Sequence, residues 1–152
     1  MVSFEFKNFR SAGFFYPYYN YYASIPYYGP FAINLGSEGM TAMSVSPNKR
    51  YAAIAEKKAE KPTITIYDLT TQRRRKVLST LDCTSQEFIS LAFSPDSKYL
   101  ISQLGAPDWT LAYWHWEKGR VMASIKSNGA TNYHVHQVGW SPFNNLHLWV
   151  SI

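Results

Sequence analysis

An all-β fold of repeated antiparallel four-stranded units is predicted, and three observations carry that expectation. The phrase apolar-Ser-Pro recurs at Val45–Pro47, Phe93–Pro95 and Trp140–Pro142, with a period in the high forties. Each copy follows one short apolar run and precedes another, the pattern of two strands joined by a turn. Between copies lie further strand-like segments, the clearest being Thr63–Leu69, where β-branched and aromatic residues alternate with other types. A repeat of this length filled with short strands marks a β-propeller blade array. Ring closure takes roughly four to eight blades of about 40 to 50 residues. The 152 residues are therefore expected to form an incomplete array with the ring not closed.

The elements follow in order. Residues 1–38 form an aromatic-rich leader in which Pro17, Pro26 and Pro30 interrupt runs of tyrosine. Neither strand nor helix periodicity is present, so an irregular segment is expected. Blade one is assigned to residues 39–86. Its first strand is Met40–Ser46, and Pro47–Arg50 is a turn because proline presets one dihedral and asparagine tolerates a tight return. Tyr51–Ala55 is the second strand, Glu56–Pro62 a polar loop, and Thr63–Leu69 the third strand. Thr70–Arg75 turns the chain into Lys76–Leu81, the fourth.

Blade two, residues 87–134, repeats that order. Its strands are Phe88–Ser94, Tyr99–Ser102, Thr110–Trp114 and Arg120–Ile125, with Trp114 standing where Tyr67 stands in blade one. Trp109, Leu111 and Tyr113 alternate on one expected face, and Ala112, Trp114 and Trp116 on the other. Residues 135–152 are the start of a third blade, expected to break off in a strand over 146–152 and to leave an open edge. Ser46, Pro47, Tyr67, Asp68, Ser94, Pro95, Asp108, Trp114, Ser141 and Pro142 are read as structural repeat positions. Asp108, just ahead of a third strand, suits fixing a loop by accepting backbone hydrogen bonds.

Composition narrows function. Fifteen lysines and arginines stand against ten acidic residues, a mild excess that favours acidic partners without choosing among them. One cysteine, Cys83, cannot form an internal disulfide, which points to a reducing, cytoplasmic setting and a small packing residue. No run approaches the roughly 20 apolar residues of a spanning helix, and no membrane partner is expected. His134, His136 and His147 lie near the end of the chain without a nearby acidic or thiol ligand, so no metal or cofactor is expected. Ser46, Ser94 and Ser141 lack a glycine-flanked elbow or a nearby base. Their place before proline fits turn geometry better than proline-directed phosphorylation, and no catalytic residue is assigned.

Two basic clusters are the candidate partner contacts. Lys57, Lys58 and Lys61 lie in the loop after the second strand, and Arg73, Arg74, Arg75 and Lys76 on the hairpin before the fourth. Either suits an acidic protein surface, while a solvated blade edge is the plainer reading.

The Tyr67-Asp68 pair and the Ser-Pro-Asn and Ser-Pro-Asp turns resemble WD-repeat sequence. Lys61–Leu69, Phe88–Leu100, Pro107–Trp114, Trp116–Lys118 and Val121–Ala123 together resemble the axonemal WD-repeat proteins of cilia and flagella. The resemblance runs from about Gly39 to Asn145. It implies a non-catalytic scaffold of the motile cilium axoneme, linked to inner dynein arm assembly or positioning, with dynein-arm components and tubulin as partners. Two rival readings stand beside it. One is the propeller of a serine peptidase, whose hydrolase domain would lie elsewhere. The other is single-stranded nucleic-acid binding by the tyrosine-rich leader and basic hairpin, which ranks below a protein partner.

Overall fold

The computed structural model describes residues 37–79, 82–126, 136–141 and 147–151. Within them lie ten strands and no helix, arranged as three separate antiparallel sheets. The first sheet is β1 (Ser37–Val45), β2 (Tyr51–Lys58), β3 (Thr63–Asp68) and β4 (Arg73–Ser79), hydrogen-bonded in that order. The second is β5 (Phe88–Phe93), β6 (Tyr99–Leu104), β7 (Thr110–His115) and β8 (Arg120–Lys126), in the same order. The third is a pair, β9 (Gln137–Trp140) and β10 (Leu148–Ser151). This is the all-β, four-stranded, unclosed arrangement that the Ser-Pro repeat implies.

The Ser-Pro phrase works through its serine. The Ser46 hydroxyl donates to Asn48 Oδ1 at 2.7 Å and accepts the Tyr51 N–H at 2.9 Å. The Ser46 N–H meanwhile donates to the Tyr51 carbonyl at 2.9 Å. In the second sheet the Ser94 hydroxyl donates to Asp96 Oδ1 at 2.6 Å and accepts the Tyr99 N–H at 2.9 Å. Lys49 and Ser97 take left-handed dihedrals, φ 60° and 62°, to close the two turns. The third copy closes one residue later, the Ser141 N–H donating to the His147 carbonyl at 2.9 Å. Pro142 lies outside the described residues.

The sheets stack with β1, β5 and β9 side by side. Tyr51, Ile64, Ile66 and Leu78 of the first sheet form one core with Phe93, Leu100, Trp114 and Trp116 from the second. Trp116 lies 4.6 Å from Tyr51 and 6.1 Å from Phe93, ring centroid to centroid, and its indole N–H donates to the Ser97 carbonyl at 2.9 Å. The Trp114 indole N–H donates to the Ser102 hydroxyl at 2.9 Å. Both tryptophans are 1% exposed, a large apolar burial whose polar ends are satisfied. Ile101, Leu111 and Tyr113 point the other way and pack with Val138 and Trp140. Gly139 in β9 lets the Trp149 ring lie directly over it, where a side chain would displace that ring.

Several strand limits differ from expectation. β2 continues through Lys58, three residues past Ala55, because its backbone is paired on one side as far as Lys58 with Ser37 and on the other through Glu56 with Thr63. Ladder partners on both sides overcome the polar composition that suggested a loop. Its Glu56 carboxylate is only 2% exposed and accepts from the Thr63 and Thr65 hydroxyls at 3.5 and 3.4 Å. β1 begins at Ser37, so strand geometry reaches two residues into the segment read as irregular. β4 begins at Arg73 rather than Lys76. The preceding turn needs only residues 69–72, since Asp68 Oδ1 accepts the Thr70 and Thr71 N–H groups at 2.9 and 3.0 Å and Gln72 adopts φ 56°. Trp109, also left-handed at φ 45°, sits before β7 and does not continue its alternation.

Between the first two sheets, connection lengths match at one end and differ at the other. Residues 69–72 and 116–119 match between the sheets, as do 46–50 and 94–98. The connection 105–109 is one residue longer than 59–62.

Candidate partner-binding surface

Register decides where the basic residues go. Tyr51 pairs with Asp68 and Asp68 with Arg73, while Tyr99 pairs with His115 and His115 with Arg120. The Ser-Pro turns and the connections 69–72 and 116–119 therefore share one rim of the stacked sheets, called here the turn rim. Its two halves touch, since the Asn48 N–H donates to the Ser97 hydroxyl at 3.2 Å. At the opposite end Glu56 pairs with Thr63, Thr63 with Ser79, and Thr110 with Lys126. That end, the loop rim, carries connections 59–62 and 105–109.

The two candidate clusters are thus separated. Lys57, Lys58 and Lys61 stand at the loop rim, whereas Arg73 to Lys76 occupy the other half of the edge strand β4. About five residues of strand, roughly 17 Å, lie between Arg73 and the loop-rim end of β4. Lys57 pairs with Glu38 at 3.9 Å, an exposed contact worth little by itself. Around these lysines and the exposed Lys126 stand Glu38, Glu60, Asp82, Glu87 and Asp108, so the loop rim is of mixed sign with acidic residues slightly in excess.

The turn rim is different. Arg73, Arg74 and Arg75 are exposed on β4, and Lys76 is half-buried with its stem against the Gly119 turn. The neighbouring turns add Lys49, Arg50, Lys98, Lys118 and Arg120, all exposed. Sequence reading missed these five, which come from separate segments. Each sits within a turn or directly after one, a signal visible only once strand direction is known. The acidic residues here are Asp68, Asp96 and Glu117, which the cations outnumber.

Two of those carboxylates are engaged. Asp68 accepts the Thr70 and Thr71 N–H groups and pairs with Arg50 Nε at 3.4 Å. The Thr71 N–H foremost holds its carboxyl below the usual range; burial opposes this, and the Thr70 N–H and Arg50 reinforce it. Asp96 accepts from the Ser94 hydroxyl and from the Lys98 N–H at 3.1 Å. Burial pushes its carboxyl upward, and those hydrogen bonds with the Lys98 charge outweigh it, leaving it lowered.

At the loop rim Asp108 clasps the chain entering the second sheet. It accepts the Thr84 N–H at 2.5 Å, the Ser85 N–H at 2.8 Å and the Thr84 hydroxyl at 3.1 Å. The Ser85 hydroxyl donates to the Gly105 carbonyl at 2.8 Å. The Ser85 N–H foremost lowers the Asp108 carboxyl, against a smaller opposing effect of burial. Counting back from the paired strands, Lys61 holds the matching place in the first sheet, as Thr63 there matches Thr110.

Ser46 and Ser94 are fully buried, with hydroxyls committed to their turns and closed to a substrate or a kinase. Cys83 is half-buried with Sγ 3.8 Å from the Ser85 carbonyl. His136 precedes β9 and His147 precedes β10, at opposite ends of an antiparallel pair, so they do not converge on one ion. His134 lies outside the described residues. Among the described residues no group of histidine, cysteine or carboxylate side chains is gathered to hold a metal, and no helix is long and apolar enough to cross a membrane.

Comparison with known proteins bears on this arrangement. No protein-family model matches the chain. The chain is 48% identical over 117 residues to mouse cilia- and flagella-associated protein 57, covering 76% of this chain and 9% of that protein. It is 38% identical over 96 residues to cilia- and flagella-associated protein 57 C of Tetrahymena thermophila, covering 57% of this chain and 7% of that one. The chain thus spans less than a tenth of the length of these relatives. Among solved structures, the Cps50 (Swd1) β-propeller domain of Myceliophteria thermophila aligns with TM-score 0.59 at 19% identity, over 79% of this chain and 34% of that one. The RRP9 WD40 repeats align with TM-score 0.61 at 18% identity, over 78% and 33%. At such identities the structures speak for fold alone. With the sheets, turns and sequence similarity together, the chain is a partial WD-repeat β-propeller that resembles cilia- and flagella-associated protein 57.

Proposed function

We propose that this chain serves as a non-catalytic protein-interaction scaffold of the cilium or flagellum, seated on the axoneme and acting in inner dynein arm assembly or positioning. The observation that carries the reading is the 48% identity over 117 residues to a protein named for cilia and flagella. The architecture supports it. A stack of antiparallel blades offers rigid rims on which charged side chains are held in fixed register, suited to docking by contact. The buried, hydrogen-bonded Ser46 and Ser94 further support a role without nucleophilic chemistry. Tubulin and dynein-arm components are the partners that the axonemal reading names. An epitope-tagged chain expressed in ciliated cells should remain with the axoneme after detergent extraction and should recover tubulin or dynein-arm subunits. Release with the soluble fraction, without those partners, would overturn the proposal.

A further inference from the structure

We infer that the turn rim is a docking site for an acidic polypeptide segment rich in glutamate or aspartate, which the loop rim does not share. This rests on the interaction-scaffold reading and names the chemistry of its partner. The fold gathers Arg73, Arg74 and Arg75 from an edge strand with Lys98, Lys118 and Arg120 from the adjoining sheet, all exposed. Arg50 is partly offset by Asp68 and Lys98 by Asp96, and these two carboxylates with Glu117 are outnumbered by the cations of the rim. The contact of Asn48 with Ser97 and of Lys76 with the Gly119 turn makes the two contributions one continuous surface. Like charges gathered on a rigid surface raise the local potential and attract an opposite polyion, an effect that salt weakens.

The aromatic residues decide between polyanions. Binding of single-stranded nucleic acid relies on bases stacking upon exposed rings. At the turn rim Trp116 is 1% exposed with its N–H committed to Ser97, and Tyr51 is packed against it. Tyr99 lies against Tyr113 and His115, at 5.1 and 5.4 Å. The described rings at this rim are buried or half-buried while most of its cations are exposed, which fits carboxylates better than bases.

The test uses the whole 152-residue chain and poly-L-glutamate as probe, with a duplex and a single-stranded oligonucleotide of matched charge beside it. Replacing Arg73, Arg75 and Arg120 by glutamate should weaken poly-L-glutamate binding about tenfold or more at low salt, and added salt should erase the difference. Replacing Lys57, Lys58 and Lys61 by glutamate should change binding less than about twofold. Arginine-to-glutamine versions of the first variant give the same comparison should the charge reversal disturb folding, with circular dichroism confirming strand content. Equal losses from the two rims, absence of binding by the parent chain, or tighter binding of either oligonucleotide would overturn the inference. The axonemal reading is tested separately in cells, so the two can fail independently.

Discussion

The first and second sheets share one backbone plan but are fastened by different side chains. Both turn on a buried serine, both place a left-handed residue before the second strand, and both shift register near the middle of the last pair, at Ile66/Tyr67 and Tyr113/Trp114. Beyond that frame they diverge. Trp116 anchors the second sheet's final turn where Leu69 stands in the first, Asp108 clasps the incoming chain where Lys61 stands, and Gly119 occupies the left-handed position of Gln72. Blade geometry therefore comes from register and turn chemistry, and the side-chain fastenings are individual. Repetition of a fold does not require repetition of its strongest contacts.

The largest test of that contrast is at the tryptophan. Trp116→Ala should cost about 3–5 kcal/mol, against about 1 kcal/mol for Leu69→Ala, read by urea unfolding. Equal losses would mean that the two turns are anchored alike. Next are the shared serines. Ser46→Ala strands the buried N–H of Tyr51 and Ser94→Ala the partly buried N–H of Tyr99, each at about 1–3 kcal/mol, and the two costs should be similar. A large disparity would break the claim of a common frame.

Asp108→Asn should cost about 1 kcal/mol at neutral pH. The folded carboxyl is lowered, so its contribution is complete above the ordinary aspartate pKa of about 3.9 and is lost as pH falls through the folded value. The parent and the variant should converge in acid, as followed by thermal unfolding across pH. The smallest effect belongs to the turn residues. Gln72→Gly should stabilise by about 0.5–1 kcal/mol by relieving a left-handed non-glycine. Gly119→Ala should destabilise by about as much, because φ is +66°, a conformation a side chain disfavours.

Much of this was readable from the residues. The Ser-Pro turns, the third strand, read as Thr63–Leu69 and ending one residue earlier at Asp68, and the two faces of Ala112, Trp114 and Trp116 against Leu111 and Tyr113 follow from spacing and alternation, which are local. Strand ends were less legible. Arg73 to Arg75 look like a loop by composition, yet an edge strand exposes its side chains to water and accepts them. The division of basic residues between rims was not legible at all. It depends on which way each strand runs, and Lys49, Lys98 and Arg120 meet only through pairings and packing across the stacked sheets.

The unequal connections at the loop rim carry a consequence for anyone inserting a reporter. Lengthening 59–62 by a short flexible peptide repeats a variation the molecule already contains, and each doubling of a loop costs only about 0.6 kcal/mol. The same insert within 69–72 would displace Arg73 from its place opposite Asp68. Cargo is carried best on the side where the first two sheets already differ in length, leaving their matched turns a fixed ruler.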